Sequence, residues 1–153
     1  MQHSILEIYT DGSSLGNPGP GGWGVVVVSE GKIVKELGGG EKDTTNNRME
    51  LTGAIKALKY LDFRKSDFDK CEIFADSNYV LNGVTSWIHG WEKNGWKTAN
   101  KKPVLNQDLW KELVELDRKL KGQITWNKVK GHSGHEHNDK ADEIATTWAG
   151  KSK

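Results

Sequence analysis

Residues 9–24 read YTDGSSLGNPGPGGWG and lie between two β-forming runs, ILEIYT (5–10) and GWGVVVVSE (22–30). Asp11 closes the first apolar run, and six glycines and two prolines then follow between Gly12 and Gly24. Glycine serves where φ is positive or where a side chain would block close approach. The stretch therefore reads as a strand ending on a carboxylate, then backbone free to lie against something else. A Walker-type phosphate loop is excluded, because no Gly-Lys-Ser/Thr follows.

Working outward, KIVKELGGG (32–40) reads as a third strand, joined to the second by a tight turn at Glu30-Gly31. After DTTNN (43–47) the period changes. Met49, Ala54, Ile55, Leu58 and Leu61 keep helical spacing, with Thr45 or Asn46 as N-cap. CEIFAD (71–76) is a short strand, and a short helix is expected from Ser77 to about Val84. Residues 87–105 mix tryptophans and lysines without a clean period. Leu109, Leu113, Leu116 and Leu120 mark an amphipathic helix, and QITWNKV (123–129) the last strand. Ala141, Ile144, Ala145 and Trp148 mark a final helix. This order predicts an α/β fold in residues 1–153, read as one domain. Hairpins build one side of a mixed sheet and right-handed crossovers the other.

At 153 residues the chain can bury a sizeable core, and its 28% charged residues suit a water-soluble protein. The longest aliphatic run, Val25–Val28, is far too short for a bilayer, so no membrane association is expected. The N-terminal residues lack the pattern of a signal peptide. Cys71 is the only cysteine and fits a reducing cytoplasm. Net charge is +1, so a polyanion would have to meet a local patch. WIHGWEKNGWKTANKK (87–102) supplies one, with Lys93, Lys97, Lys101 and Lys102 against Glu92.

Two carboxylates stand at strand ends, Asp11 and Asp76, where ligands collect in open α/β sheets. Glu50 lies in the first turns of the first helix and Asp142 early in the last. Like charges about 4 Å apart repel by about 4 kcal/mol at an effective dielectric near 20, so a convergent cluster calls for cations. All-oxygen ligation favours Mg²⁺ or Mn²⁺ over zinc, and paired divalent ions on carboxylates serve phosphoryl transfer. Read singly, each acid could equally be a cap or a solvated turn.

YTDGSSLGNPGPGGWG, TTNNRMEL (44–51), ADSNYV (75–80), GWKTANKKPV (95–104) and VKGHSGHEHNDKADEIA (129–145) together resemble ribonuclease H of type 1 in its bacterial form. The resemblance runs from about Ile5 to Ala149. It implies a five-stranded mixed sheet flanked by helices. It also implies a monomeric endonuclease that hydrolyses the RNA strand of RNA–DNA hybrids, leaving 3′-hydroxyl and 5′-phosphate ends. Two Mg²⁺ ions, for which Mn²⁺ can substitute, would sit on Asp11, Glu50, Asp76 and Asp142, and the catalytic-loop histidine falls on His132.

Ser14, Asn17, Thr45, Asn46 and Asn47 match positions that touch substrate, and Asn138 matches one near it. Asn46 doubles as a helix cap. Asn78 departs from the longer glutamine common at its position, which puts its reach in question. The basic segment resembles the family's protrusion, with Trp87, Lys93, Trp96, Lys97, Lys101 and Lys102 as substrate-binding residues. Leu105 replaces a lysine frequent among relatives. From the residues alone, Trp87 and Trp91 read as packing of a helical subdomain and Trp96 as lying on a sugar or backbone. His135 and His137 read as surface residues. Rival readings are a DNA transposase or resolvase on the same scaffold, and a module that binds hybrids without cutting.

Overall fold

The computed structural model describes residues 5–129 and 136–153. Strands β1 (Ile5–Ser14), β2 (Gly19–Ser29) and β3 (Lys32–Thr44) form an antiparallel meander. Helix α1 (Asn46–Phe63) then crosses to β4 (Lys70–Ala75), which pairs parallel with β1. After helices α2 (Asn78–Asn82), α3 (Ile88–Lys93) and α4 (Gln107–Lys119), strand β5 (Ile124–Lys128) joins β4 in parallel. Helix α5 (Glu136–Lys151) closes the described chain. The sheet order is β3-β2-β1-β4-β5, as the element order predicts. The strand order reverses beside β1, so the carboxyl ends of β1 and β4 share one edge, where ligands of open sheets bind.

Local chemistry explains most boundaries. Glu30 and Gly31 both take positive φ, 51° and 79°, the geometry a two-residue hairpin turn demands. Thr45 caps α1 by accepting from the Arg48 backbone N–H at 3.2 Å, and Ser77 caps α2 through Val80 at 3.1 Å. The expected apolar stripe of α1 is buried: Met49, Ala54, Ile55, Leu58 and Leu61. Alternation in β2 is replaced by burial of all four valines, because α1 covers one face of the sheet and α5 the other.

Two expectations change. β1 does not stop at Asp11 but runs on to Ser14, paired with Gly21–Gly24 of β2. Much of the glycine-rich stretch is therefore strand rather than loop. The helix expected to end near Val84 continues instead through a wide π turn, Gly83–Trp87, into α3. Its buried residues Val80, Val84 and Ile88 are spaced by four, slightly more than a helical turn, and the widened turn keeps all three on the core.

Beneath this helix lies a polar knot. The Tyr79 hydroxyl accepts from the indole N–H of fully buried Trp110 at 3.0 Å and from Asn106 Nδ2 at 3.1 Å. Arg48 adds a two-pronged bond to Asp108, at 2.8 and 3.1 Å, and a third to Asn106 at 3.2 Å. Removing the hydroxyl with Tyr79→Phe strands two donors, at a cost of about 1–3 kcal/mol. Denaturant unfolding should show the loss as a lower midpoint at constant slope. An unmoved midpoint would mean the knot contributes nothing.

Candidate active site

The site is built where helices approach the sheet more closely than side chains normally allow. A Cβ on Gly12 would overlap the backbone nitrogen of Glu50, so the first turn of α1 lies directly on β1. A Cβ on Gly24 would overlap the Ala141 carbonyl, and α5 lies as directly on β2. In the register, Gly24 is the cross-strand partner of Asp11. These close approaches bring Glu50 to Asp11 from one helix and Asp142 from another. Asp76 follows Ala75, whose ladder partner on β1 is Thr10.

The carboxyls form a row. Asp11 is hydrogen-bonded to Asp142 and feels the charge of Glu50, and Glu50 feels Asp76. Burial, then the bond to Asp142, pushes the Asp11 carboxyl up to about 8. The Gly12 N–H, 2.8 Å from Asp11 Oδ1, opposes the shift. Burial also raises Glu50, partly offset by bonds from Ser77 and Asn46 to its charged form. Among the described residues, no three His, Cys, Asp or Glu side chains close around a point as a metal cage. A row of oxygens with open sides still fits a hard divalent ion, because Mg²⁺ takes one or two carboxylates and keeps several waters.

A line of hydrogen bonds leads outward from this row. Asn46 Nδ2 donates to Glu50 Oε1 at 2.8 Å. The Asn46 backbone N–H donates to Asn17 Oδ1 at 2.9 Å, which also accepts from Ser14 Oγ at 3.1 Å. Thr45 spends its hydroxyl on the α1 cap. Asn47 and Asn78 are exposed, and Asn78 Oδ1 accepts from Lys128 Nζ at 2.6 Å. Asn138 is half-buried, its Oδ1 enclosed without a partner among the described residues. His132 and His135 lie outside the described residues. His137 does not behave as a surface residue: its ring tilts against Tyr9, centroids 5.4 Å apart, and its Nδ1 is buried.

The basic segment is a small hairpin. Thr98 N–H donates to the Lys102 carbonyl at 2.7 Å and Val104 N–H to that of Trp96 at 3.0 Å. Lys93, Lys97, Lys101 and Lys102 are all exposed, as is Leu105. Trp87 and Trp91 pack with Tyr79 and Trp110, as expected for a helical subdomain, whereas Trp96 is less open than expected. Trp96 is half-buried against the core, with Trp91 6.0 Å away and Lys111 over its ring at 5.4 Å. Trp87 is 40% exposed, its inner side resting on Tyr79 and Trp91. Trp96 takes a positive φ of 62° in the hairpin. Sequence reasoning missed Lys128, which no motif contains.

The carboxyl row predicts a pH signature without metal. Unfolded Asp11 loses its proton near the ordinary 3.8, whereas the folded carboxyl keeps it to about 8. In between, the native state binds more protons, so stability falls as pH rises and levels above 8. Asp11→Asn should remove this slope and stabilise the metal-free protein at pH 8. The gain should be about 1 kcal/mol, well below the full shift because solvent screens a half-buried group. Thermal melts from pH 4 to 9 check it, and parallel profiles for parent and variant would refute it.

Comparison with known proteins agrees with this architecture. The RNase H family model matches residues 3–149. The ribonuclease H of Mesorhizobium japonicum is 55% identical over 142 residues, 92% of this chain and 75% of its own length. That of Erythrobacter litoralis is 52% identical, covering 94% and 95%. Among solved structures, LC9-RNase H1, described as a type 1 RNase H with the type 2 active-site motif, superposes with TM-score 0.81 at 34% identity. That match covers 100% of this chain and 75% of the other. LC11-RNase H1, solved in complex with RNA/DNA hybrid, gives 0.71 at 25% identity, covering 96% and 98%. With sheet order, carboxyl row and relatives of this identity in agreement, the chain belongs to the ribonuclease H family and is a ribonuclease H enzyme.

Proposed function

We propose that this enzyme cuts the RNA strand of RNA–DNA hybrids internally, by two-metal hydrolysis that leaves 3′-hydroxyl and 5′-phosphate ends. The observation that carries the proposal is the row Asp76–Glu50–Asp11–Asp142 at the edge where β1 and β4 end. These carboxylates would hold two divalent ions, Mg²⁺ by preference and Mn²⁺ in substitution. Bound there, such ions activate a water and stabilise the leaving oxygen. The chain's own residues do the rest. Asn46 and Ser77 bond the charged form of Glu50 and oppose the rise that burial imposes. His132 is assigned to proton transfer, for which an imidazole titrating near neutrality is suited.

Choice of strand falls to the amides. A 2′-hydroxyl both donates and accepts, and an amide offers both complements. Ser14, Asn17, Thr45, Asn46, Asn47, Asn78 and Asn138 are assigned to the hybrid's backbone and groove. The line from Ser14 through Asn17 and Asn46 to Glu50 supports this, because it ties groove-facing groups to the carboxyl row. Trp87, Lys93, Trp96, Lys97, Lys101 and Lys102 are assigned to the DNA strand. Exposed Trp87 suits direct contact, and half-buried Trp96 acts by shaping the hairpin. No helix among the described residues is long and apolar enough to cross a membrane. Lone Cys71, buried with its thiol pushed up to about 12 by burial, is inert and compatible with a reducing cytoplasm.

The direct test incubates labelled hybrid, RNA duplex and DNA duplex with the protein, with and without Mg²⁺. Cleavage confined to the RNA of the hybrid and dependent on the ion is expected, and Asp76→Asn should abolish it in a folded protein. Activity of Asp76→Asn within tenfold of the parent would remove the metal assignment.

A second prediction separates grip from chemistry. Replacing Lys97, Lys101 and Lys102 by alanine should flatten log K against log salt by about 0.7–0.9 for each phosphate no longer neutralised. KM should rise while kcat on bound hybrid stays near the parent value. An unchanged salt slope would make these lysines a solvated face.

A further inference from the structure

Lys128 ends β5, and its ladder partner is Ala75, the residue before Asp76. It lies two positions beyond Trp126 on the same strand, hence on the same face of the sheet. Its ammonium is spent on protein. Nζ donates to the Asp76 backbone carbonyl at 3.1 Å and to Asn78 Oδ1 at 2.6 Å. Its charge is also close enough to Glu50 to lower that carboxyl. Nothing else the structure shows bonds the Asn78 side chain among the described residues, and that side chain is exposed at the rim of the carboxyl row.

An ammonium can only donate, so the Asn78 atom facing it must be the amide oxygen. A charge-assisted bond of this length fixes a side chain that would otherwise turn freely. With Oδ1 turned toward Lys128, the N–H₂ group of Asn78 points the opposite way, and a partner of that group must be an acceptor. In the shallow groove of an A-like hybrid the acceptors are the ribose 2′-oxygen and the base atoms N3 and O2.

We propose that Lys128 is a positioning residue for substrate recognition, pinning Asn78 so that its amide donates to minor-groove acceptors of the hybrid next to the carboxyl row. The inference rests on the hybrid as substrate, as proposed above.

The test compares Lys128→Met, which keeps the stem and removes the donors, with Asn78→Ala and the double variant. In the free protein, the side-chain ¹⁵N–¹H₂ signals of Asn78 should shift and broaden in Lys128→Met, with the melting temperature unchanged. Lys128→Arg, which keeps donors, should retain the parent signals more closely. On hybrid with Mg²⁺, each single variant should raise KM by about 3–10-fold, the value of one hydrogen bond, with kcat within twofold. The double variant should be no worse than either single one. Multiplying effects, or a salt slope reduced by about 0.7–0.9 in Lys128→Met, would overturn the proposal, because the lysine would then be touching a phosphate itself. A fall in kcat alone would overturn it in favour of an effect on the carboxyls. Unmoved Asn78 signals would refute the pin irrespective of activity. Failure of the parent to cut hybrid would instead refute the substrate reading, and with it the groove partner assigned to Asn78.

Discussion

The backbone of α1 rests on Gly12 of β1, and the geometry of the site depends on that close approach. Any side chain at Gly12 would meet the main chain of Met49 and Glu50 and lift the helix away. Backbone-on-backbone packing is stiff, because neither partner has a flexible end that could yield. On the other face, Gly24 does the same for α5. Repulsion among ionised carboxyls opposes their approach in the absence of cations. The buried valines of β2 and the apolar faces of α1 and α5 hold the acids near one another against that force. Burial, and then the neighbouring acids, raise the Asp11 carboxyl to about 8.

The residues proposed for recognition belong to the same frame. Asn46 is both the first residue of α1 and a donor to Glu50, so the helix start and the carboxyl row are parts of one hydrogen-bonded unit. Asn17 reaches it from the β1–β2 turn through the Asn46 N–H. At the opposite end of the row, Lys128 ties β5 to the Asp76 carbonyl and Asn78. The protrusion is held by the Tyr79–Trp110–Asn106 knot and by the pair from Arg48, on the first turn of α1, to Asp108. The hairpin lysines themselves are exposed, so substitutions among them should leave the carboxyl row largely intact.

Residue pattern alone carried the element order, the Thr45 cap, the Glu30-Gly31 turn and the buried stripes of α1 and α4, because these depend on neighbours within a few positions. The glycines were harder. Read locally, Gly12 to Gly24 looks like a flexible loop, and its actual use depends on helices that begin 34 and 112 positions after Gly12 and Gly24 respectively. Helix α3 was hidden because its apolar spacing follows a π turn rather than a regular helix. The half-burial of Trp96 depends on contacts with Trp91 and Lys111 that its own position does not reveal. His137 was placed at the surface because the sequence gives no hint that α5 passes over Tyr9.

What the sequence determined by itself was the set of chemical groups and the family they match: four acids, the asparagines and the lysine cluster, each on an element whose type its own periodicity specifies. Tertiary structure decided which of these groups act on one another. The Asp11–Asp142 bond, the Asn17–Asn46 link and the Lys128–Asn78 pin join residues far apart in the chain. Such pairings are set by how closely helices settle on the sheet, a property of packed volume that local pattern does not encode.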